Sequence, residues 1–282
     1  MGDRLRLAVP NKGRLLEPTV SLLHDAGLVF DSRERSLVSS CENFPLDILF
    51  ARTEDIVEFV HDGVADMGIT GRNLLVESGR ELDVRAQLHY GRCRLEAAVP
   101  TDAPAQTIAD LDGCRVATSH RATSERFFQD RGIRVEIVPL SGAVEVAPRM
   151  GLADAIVDLV STGSTMLVNG LRSIGTLLAS EAVLVAPPGA DGHATDVVTM
   201  LQAVVDGRER RYVMMNAPLA RLAEIEALLP GLGSPSIVPL ARGDMVAVHA
   251  VVNGDELWGL LGSLKAAGAS GILVLPIELL IQ

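Results

Sequence analysis

The sequence is poor in cysteine, aromatic residues and paired histidines. Its three cysteines, Cys41, Cys93 and Cys114, form no CxxC pair, which argues against a disulfide framework and predicts a reducing, cytoplasmic location. The six histidines show neither HxxxH nor HExxH spacing, which argues against a zinc site. Aromatic residues make up 3% of the chain, too few for the stacking platform that binds single-stranded nucleic acids.

Long apolar runs and positive charge are also scarce. No run approaches the ~20 apolar residues that a membrane-spanning helix needs, and the N-terminal residues do not resemble a secretory signal. The 36 acidic residues outnumber the 25 basic ones, which gives a net charge of −11. This balance argues against a nucleic-acid partner, which would require a basic surface. Only two of the basic residues are lysines, and Lys12 lies in the first predicted loop.

Apolar residues for packed cores are abundant. Hydrophobic residues make up 48% of the 282 residues, a length typical of two or three domains. Strand patterns alternate with helical patterns over residues 5–205, which predicts an α/β fold with a parallel sheet. One predicted helix covers residues 54–60, with Thr53 as its N-cap. Residues 212–275 then follow the order βαββαβ, which is typical of a ferredoxin-like domain.

A loop of hydroxyl residues and glycine follows the strand predicted at residues 155–160. Its members are Ser161, Thr162, Gly163, Ser164 and Thr165. The backbone N–H groups and hydroxyls of such a loop can converge on one phosphate, although the same string also forms ordinary turns. Asp154 and Asp158 favour a sugar phosphate, because carboxylates accept hydrogen bonds from sugar hydroxyls or hold Mg²⁺. Glu145 is a third nearby acid, and a solvated surface charge is its alternative interpretation.

Positive charges follow two other predicted strands. Lys12 and Arg14 come after the first strand and before a helix, where open α/β sheets bind ligands; a solvated basic loop is the alternative. Arg52 ends a strand, and its planar guanidinium could hold two phosphate oxygens. Arg35 could reach the same region. These positions predict a local site for an anion on an otherwise acidic chain.

The segment 66–71 (DMGITG) has two interpretations that the residues leave open. It combines a short strand with a turn that begins the next helix. Asp66 either faces a ligand or closes a turn as a structural partner. The glycines serve backbone geometry.

Three segments together resemble the ATP phosphoribosyltransferases, which catalyse the first step of histidine biosynthesis. They are 10–15 (PNKGRL), 66–71 (DMGITG) and 151–165 (GLADAIVDLVSTGST), in the order found in that family. The resemblance covers nearly the whole chain. The βαββαβ segment resembles the regulatory domain of the long form, which works without a separate regulatory subunit.

The resemblance implies a two-lobed catalytic part with a periplasmic-binding-protein-like topology. Lobe one would be residues 1–90 and 182–206, lobe two would be residues 91–181, and the regulatory ferredoxin-like domain would be residues 207–282. It also implies the reaction, in which N1 of the ATP adenine attacks C1 of 5-phosphoribosyl 1-pyrophosphate (PRPP). Pyrophosphate leaves, and Mg²⁺ assists mainly through the substrate phosphates.

The residue roles that the resemblance implies divide between the two substrates. The 5-phosphate of PRPP would bind Ser161, Thr162, Gly163, Ser164 and Thr165, and its ribose would face Glu145, Asp154 and Asp158. The polyphosphate groups would meet Lys12, Arg14, Arg35 and Arg52, with Arg33 as an alternative to Arg35. ATP would contact Lys12, Arg14, Asp66, Thr70 and Gly71. No side chain needs to act as a nucleophile, so positioning and electrostatic stabilisation supply the rate.

For the C-terminal domain, the resemblance implies feedback inhibition by L-histidine, with Asn216, Ser234 and Ser236 near the ligand. Asn216 stands where the family often has an acid, and Met245 stands where a tryptophan is common. The resemblance also implies a symmetric homo-oligomer, either a dimer or a hexamer. Two rival functions remain: a binding protein without catalysis, and a phosphoribosyltransferase that uses a free base.

Overall fold

The computed structural model describes residues 4–31, 37–190, 193–229, 233–241 and 243–281, without the side chains of Thr165 and His193. The chain divides into two compact units, one of residues 1–21 and 28–198 and one of residues 22–27 and 199–282. Among the helices within these described ranges, none is both long and apolar enough to cross a membrane.

Strands and helices alternate along the larger part of the chain. The elements before residue 93 are β1 (Leu5–Pro10), α1 (Leu16–Asp25), β2 (Val38–Ser40), β3 (Leu46–Ala51), α2 (Ile56–His61), β4 (Met67–Gly71), α3 (Arg72–Ser78) and β5 (Asp83–Gln87). Those that follow are β6 (Cys93–Pro100), β7 (Arg115–Thr118), α4 (Arg121–Asp130), β8 (Glu136–Pro139), β9 (Ala155–Val160), α5 (Ser164–Val168), β10 (Leu171–Ser180), β11 (Ala182–Ala186) and α6 (His193–Glu209).

The first sheet has six strands in the order β2-β3-β1-β4-β11-β5. β1 is parallel to β3 and to β4, and β11 joins β4 in antiparallel orientation. All five residues of β11, the apolar run AVLVA, are buried, as expected for a strand that is covered on both faces. Because β1, β3 and β4 are parallel, the loops after them share one edge of the sheet.

The second sheet has five strands in the order β10-β6-β9-β7-β8. β7 is parallel to β8 and β9, so the loops after these three strands also share one edge. The chain passes between the sheets twice, after β5 and between β10 and β11. The predicted α/β architecture is therefore confirmed, although both sheets contain antiparallel strands beside the parallel ones that the pattern predicted.

Three local features differ from the sequence predictions. Helix α2 begins at Ile56 and its N-cap position is Asp55, so the prediction of Thr53 as the cap was wrong. The sequence pattern of residues 145–150 predicts a short helix, but a single 3-10 turn, Val144–Val146, forms there instead. Strand β10 lacks a sequence prediction, because only two of its ten residues are buried and its pairing with β6 is irregular at two places, which blurs the alternating pattern.

The second unit contains a four-stranded antiparallel sheet with two helices. Its elements are β12 (Arg210–Pro218), α7 (Leu222–Leu228), β13 (Ser236–Pro239), β14 (Met245–Asn253), α8 (Leu257–Ala266) and β15 (Ser270–Pro276). The strand order is β13-β14-β12-β15, which is the ferredoxin-like order that the βαββαβ pattern predicts. Alternate residues of the central strands, such as Val213 and Val248, pack with Ile225 and Leu264 of the helices in one core.

Candidate functional site

Loops from the C-terminal edges of both sheets line one cavity of about 520 Å³, here called the cleft cavity. The loops of the first sheet contribute Lys12, Gly13, Arg14, Leu15, Thr53 and Glu54, the end of β4 with α3 contributes Gly71, Asn73, Leu74 and Glu77, and the second sheet with its loops contributes Ser119, His120, Ser141 and Leu159. Asn11 directly precedes Lys12, and its Oδ1 atom is buried without a hydrogen-bond partner among the described residues. A buried polar atom without a partner is uncommon and indicates a place for a polar ligand or water.

A smaller cavity of about 190 Å³ lies at the end of β9 and is here called the phosphate-loop cavity. Its polar lining consists of Glu145, Asp158, Ser161, Thr162 and Gly163. Gly163 has a φ of +79°, a left-handed conformation that other residues rarely adopt, so it allows the tight turn before α5. Three of the five predicted loop members, Ser161, Thr162 and Gly163, therefore share one cavity with two of the three predicted sugar-binding acids, whereas Ser164 does not line it and begins α5.

Asp158 has an unusual electrostatic environment. Burial raises the pKa of its carboxyl group, and the nearby charge of Glu145 raises it further. The backbone N–H of Leu159, which donates to Asp158 Oδ1 at 2.8 Å, and the neighbouring His120 lower the pKa in part. Burial of a carboxylate beside another acid disfavours the charged form, and such arrangements are common at ligand sites.

Arg14 links the two cavities. Its Nη1 donates to Ser161 Oγ at 3.0 Å and its Nη2 donates to Cys93 Sγ at 2.9 Å. The loop after β1 thus reaches the phosphate loop after β9. Lys12 lines the cleft cavity two residues earlier. A phosphate in the phosphate-loop cavity would therefore have a guanidinium as a neighbour.

The other predicted residues around the first sheet lie either beside the cleft cavity or at the opposite end of β4. Thr70 is buried and donates its hydroxyl to the carbonyl oxygen of Thr53 at 3.1 Å, which fixes the loop after β3. Arg52 is exposed in that loop, next to the lining residue Thr53. Gly71 lines the cleft cavity, and a Cβ atom there would lie 2.5 Å from Asn73 Oδ1. Thr70, Arg52 and Gly71 therefore lie at the edge of the first sheet that borders the cleft cavity.

Asp66 lies at the opposite end of β4. Its Oδ2 accepts the backbone N–H of Arg6 at 2.7 Å, and its own N–H donates to the Arg6 carbonyl oxygen at 2.9 Å. The Arg6 guanidinium also contacts the carboxylate at 3.4 Å. The structure does not bring Asp66 to either cavity, and its contacts match the structural interpretation that the sequence left open.

Asp154 is likewise separated from the phosphate loop. It precedes β9 and accepts the backbone N–H of Arg115 at 2.9 Å, and the Arg115 Nη2 donates to its Oδ1 at 2.9 Å. The hydrogen bonds of the Arg115 side chain and backbone hold the pKa of this carboxyl group below its usual range. Four residues along a strand span ~13 Å, so Asp154 cannot share a ribose with Asp158. The expectation for Asp154 is corrected on this ground.

Two predicted residues fall outside the described part of the chain: Arg35 altogether and Thr165 for its side chain. For a metal ion, Glu145 and Asp158 offer the oxygen ligands that Mg²⁺ prefers. A second group of possible ligands, Glu58, His61 and Asp62, lies on and just after α2, where Arg80 already pairs with Glu58 at 2.9 Å.

Sequence reasoning missed several lining residues of the cleft cavity, among them Asn73, Glu77 and His120. Asn73 and His120 are buried, and Asn73 Nδ2 lies 3.0 Å from His120 Nε2. Glu77 of α3 accepts the backbone N–H groups of Ala122 and Thr123, both at 2.9 Å, and thereby caps α4 of the second sheet. His120 could have been found, because it follows a parallel strand; the other two gave no local signal.

In the C-terminal sheet, the predicted histidine-binding residues are exposed. Asn216 belongs to β12, Ser236 begins β13, and β14 lies between these strands. Ser234 is exposed just before β13. The resemblance to the family's histidine-binding segment spans residues 230–237, of which residues 230–232 lie outside the described part of the chain.

Comparison with known proteins gave consistent matches over the whole chain. A family model described as ATP phosphoribosyltransferase matches residues 52–205, and one described as the HisG C-terminal domain matches residues 207–279. An ATP phosphoribosyltransferase of Maricaulis maris is 43% identical, with 99% of each chain covered. That of Gemmatimonas aurantiaca is 45% identical over 98% of this chain and 99% of its own. The solved ATP phosphoribosyl transferase (HisG:HisZ) complex from Thermotoga maritima is similar, with a TM-score of 0.62, 29% identity, and coverage of 72% of this chain and 98% of that one.

Proposed function

The chain belongs to the ATP phosphoribosyltransferase family of histidine biosynthesis, and from this premise we propose that it transfers phosphoribosyl from PRPP to N1 of ATP with release of pyrophosphate. The observation that carries the proposal is the phosphate-loop cavity, where Ser161–Gly163 meet Asp158 and Glu145. Arg14 connects this cavity to the larger cleft cavity. Two adjoining cavities, one suited to a sugar phosphate, fit a reaction between two phosphorylated substrates.

PRPP would bind at the end of β9. The loop supplies hydroxyls and backbone N–H groups to the 5-phosphate. Asp158 and Glu145 accept hydrogen bonds from the ribose hydroxyls. Burial raises the pKa of Asp158. Hydrogen bonds from the ribose and cations bound with the substrate would oppose this shift by stabilising the charged form of the carboxyl group.

ATP would occupy the cleft cavity, with Lys12, Arg14 and Arg52 near the phosphates and Gly71 at the wall. Charge develops on pyrophosphate as the C1–O bond breaks, and fixed cations stabilise it in the transition state. Mg²⁺, when bound, neutralises part of the same charge; Glu145 and Asp158 are the protein carboxylates that could hold it. N1 of adenine supplies the electron pair for the new bond, so the chain's own task is to position both substrates.

The proposal extends to the division of the chain and to its regulation. Residues 1–90 with 182–206 and residues 91–181 would form the two catalytic lobes, and residues 207–282 would bind L-histidine as an inhibitor near Asn216, Ser234 and Ser236. A homo-oligomer, dimer or hexamer, is proposed as well. Its support is the edge strand β15, whose Leu273, Val274 and Leu275 are exposed, because exposed apolar edge strands are typical of interfaces. The reaction would take place in the cytoplasm.

The test is pyrophosphate release by the full chain in the presence of Mg²⁺. Release should require ATP and PRPP together, and removal of Mg²⁺ with a chelator should abolish it. Release with a free nucleobase in place of ATP would support the rival phosphoribosyltransferase and contradict the proposal. The same assay with L-histidine tests the regulatory part, since an unchanged rate and no histidine binding would contradict it.

A further inference from the structure

A chain of hydrogen bonds leads from the end of β10 to the cleft cavity. The Ser180 hydroxyl accepts the backbone N–H of Asn73 and donates to Asn73 Oδ1, both at 2.9 Å. Asn73 Nδ2 lies 3.0 Å from His120 Nε2, and His120 Nδ1 lies 3.1 Å from Ser119 Oγ. Ser180, Asn73 and His120 are buried, whereas Ser119 is exposed and lines the cavity.

The donors and acceptors fix the direction of this chain. An amide nitrogen can only donate, so Asn73 Nδ2 donates to His120 Nε2, which carries no proton. A neutral imidazole then carries its proton on Nδ1 and donates to Ser119 Oγ. Burial lowers the pKa of His120 and favours this neutral form, although the charges of Glu77 and Asp158 oppose the shift.

The surroundings hold Ser119 and His120 in place. The backbone N–H of His120 donates to Thr118 Oγ1 at 2.9 Å, and Ser124 Oγ donates to the His120 carbonyl oxygen at 2.7 Å. Glu77 fixes the first turn of α4, which begins directly after His120. The Ser119 oxygen already accepts a hydrogen bond from His120, so its own proton is available to the cavity.

We infer that the Ser119 hydroxyl donates a hydrogen bond to an acceptor atom of the nucleotide in the cleft cavity, in a direction set by Ser180, Asn73 and His120. Ser119 is then a binding residue that favours acceptor groups, and the other three are positioning residues. The identity of the ligand, ATP, rests on the proposed function. The direction of the hydrogen-bond chain does not depend on it.

The direction is tested by ¹⁵N NMR of the full chain labelled at histidine. The ring nitrogen shifts distinguish the two neutral tautomers, and comparison with the spectrum of His120→Gln assigns the signal. We expect the proton on Nδ1 of His120 at pH 7.5. A proton on Nε2 would overturn the inference, because Ser119 would then donate to His120 instead of to the ligand.

The role in binding is tested by titration with ATP in the absence of PRPP. Ser119→Ala should weaken ATP binding about 3- to 10-fold, the range for one neutral hydrogen bond, and Ser119→Thr should bind like the wild type. Asn73→Asp replaces the amide donor with an acceptor of similar size, which draws a His120 proton to Nε2; the titration is run at a pH above the pKa that the new carboxylate raises, so that the ring stays neutral and the chain reverses. In that background Ser119→Ala should cause no further loss.

Equal losses from Ser119→Ala in both backgrounds would overturn the inference. If Asn73→Asp does not fold, the tautomer of the wild type still decides the direction. Absence of ATP binding by the wild type would overturn the ligand and the proposed function together. A proton on Nε2 in a chain that transfers phosphoribosyl to ATP would overturn this inference alone.

Discussion

The two edges of the parallel strands have opposite chemistry. At the N-terminal edge of each sheet, the side chain of an aspartate accepts the backbone N–H of an arginine on the neighbouring strand. The aspartate also donates its own N–H to the carbonyl oxygen of that arginine and pairs with its guanidinium. Asp66 does this with Arg6 in the first sheet, and Asp154 with Arg115 in the second. At the C-terminal edge, Asp158 has no such arginine among the described residues, and loops surround cavities instead of closing the edge.

Asp154 and Asp158 show what this difference means. Asp154 directly precedes β9 and Asp158 belongs to it, and both have the same side chain, yet their pKa values move in opposite directions, down for Asp154 and up for Asp158. A carboxylate with an arginine partner has its interactions complete in the folded chain. Asp158 is half-buried beside another acid and accepts only the Leu159 N–H among the described residues, so further hydrogen bonds would have to come from a ligand, as is typical of binding sites.

The largest effect is expected from the arginine that connects the cavities. Arg14→Ala should lower kcat/KM about 10²-fold, because it removes a cation from the place where we propose that charge develops on the leaving pyrophosphate. Arg6→Ala is the matched control at the opposite edge and should leave kcat/KM nearly unchanged. Initial rates of pyrophosphate release, measured well below both melting temperatures, check this. Equal losses in the two variants would erase the distinction between the edges.

Removal of the Glu77 side chain, which caps α4, should have a smaller effect, and that effect should be on stability. Glu77→Ala leaves two N–H groups of α4 without their acceptor and should cost about 1 kcal/mol of unfolding free energy. The control is Glu125→Ala on the same helix, whose exposed pair with Arg121 contributes little. Urea unfolding of both variants measures the difference. An equal effect in Glu125→Ala would show that the cap contributes nothing specific.

These non-local contacts explain which parts of the site could be predicted from the sequence. Lys12, Arg14 and Ser161 were predicted correctly to follow parallel strands, because that position depends only on the local strand–loop pattern. Asp66 and Asp154 are bound by arginines that lie 60 and 39 residues away in sequence. Glu77 caps a helix 45 residues away. No local pattern indicates such partners, so which acids are paired in the folded chain could not be foreseen.

Substitutions of Asp154 and Asp158 should change the melting temperature in opposite directions. Asp158→Asn should raise the melting temperature at pH 7, because the neutral amide avoids burying a charge beside Glu145. Asp154→Asn should lower it by about 1–3 °C, because an exposed ion pair with Arg115 is weak. Thermal unfolding followed by circular dichroism gives both values. A fall for Asp158→Asn would mean that its carboxylate is already stabilised without substrate.

The smallest effect should be the contribution of His120 to the pH dependence of stability. Because burial lowers its pKa in the folded chain, the unfolded chain binds the proton first as the pH falls below about 6.5. Stability should therefore fall from pH 6.5 toward pH 5.5, and less so in His120→Gln. Melting temperatures across pH 5.5–7.5 provide the comparison. Parallel curves for the two proteins would show that His120 does not contribute.

The contrast between the two edges is tested most directly by PRPP binding. Isothermal titration with PRPP and Mg²⁺, without ATP, should compare the wild type with Asp158→Asn and Asp154→Asn. Asp158→Asn should weaken binding about tenfold or more, as expected for a lost hydrogen bond to a charged group, while Asp154→Asn should bind like the wild type. Full affinity in Asp158→Asn together with a loss in Asp154→Asn would contradict the assignment of the site to the C-terminal edge.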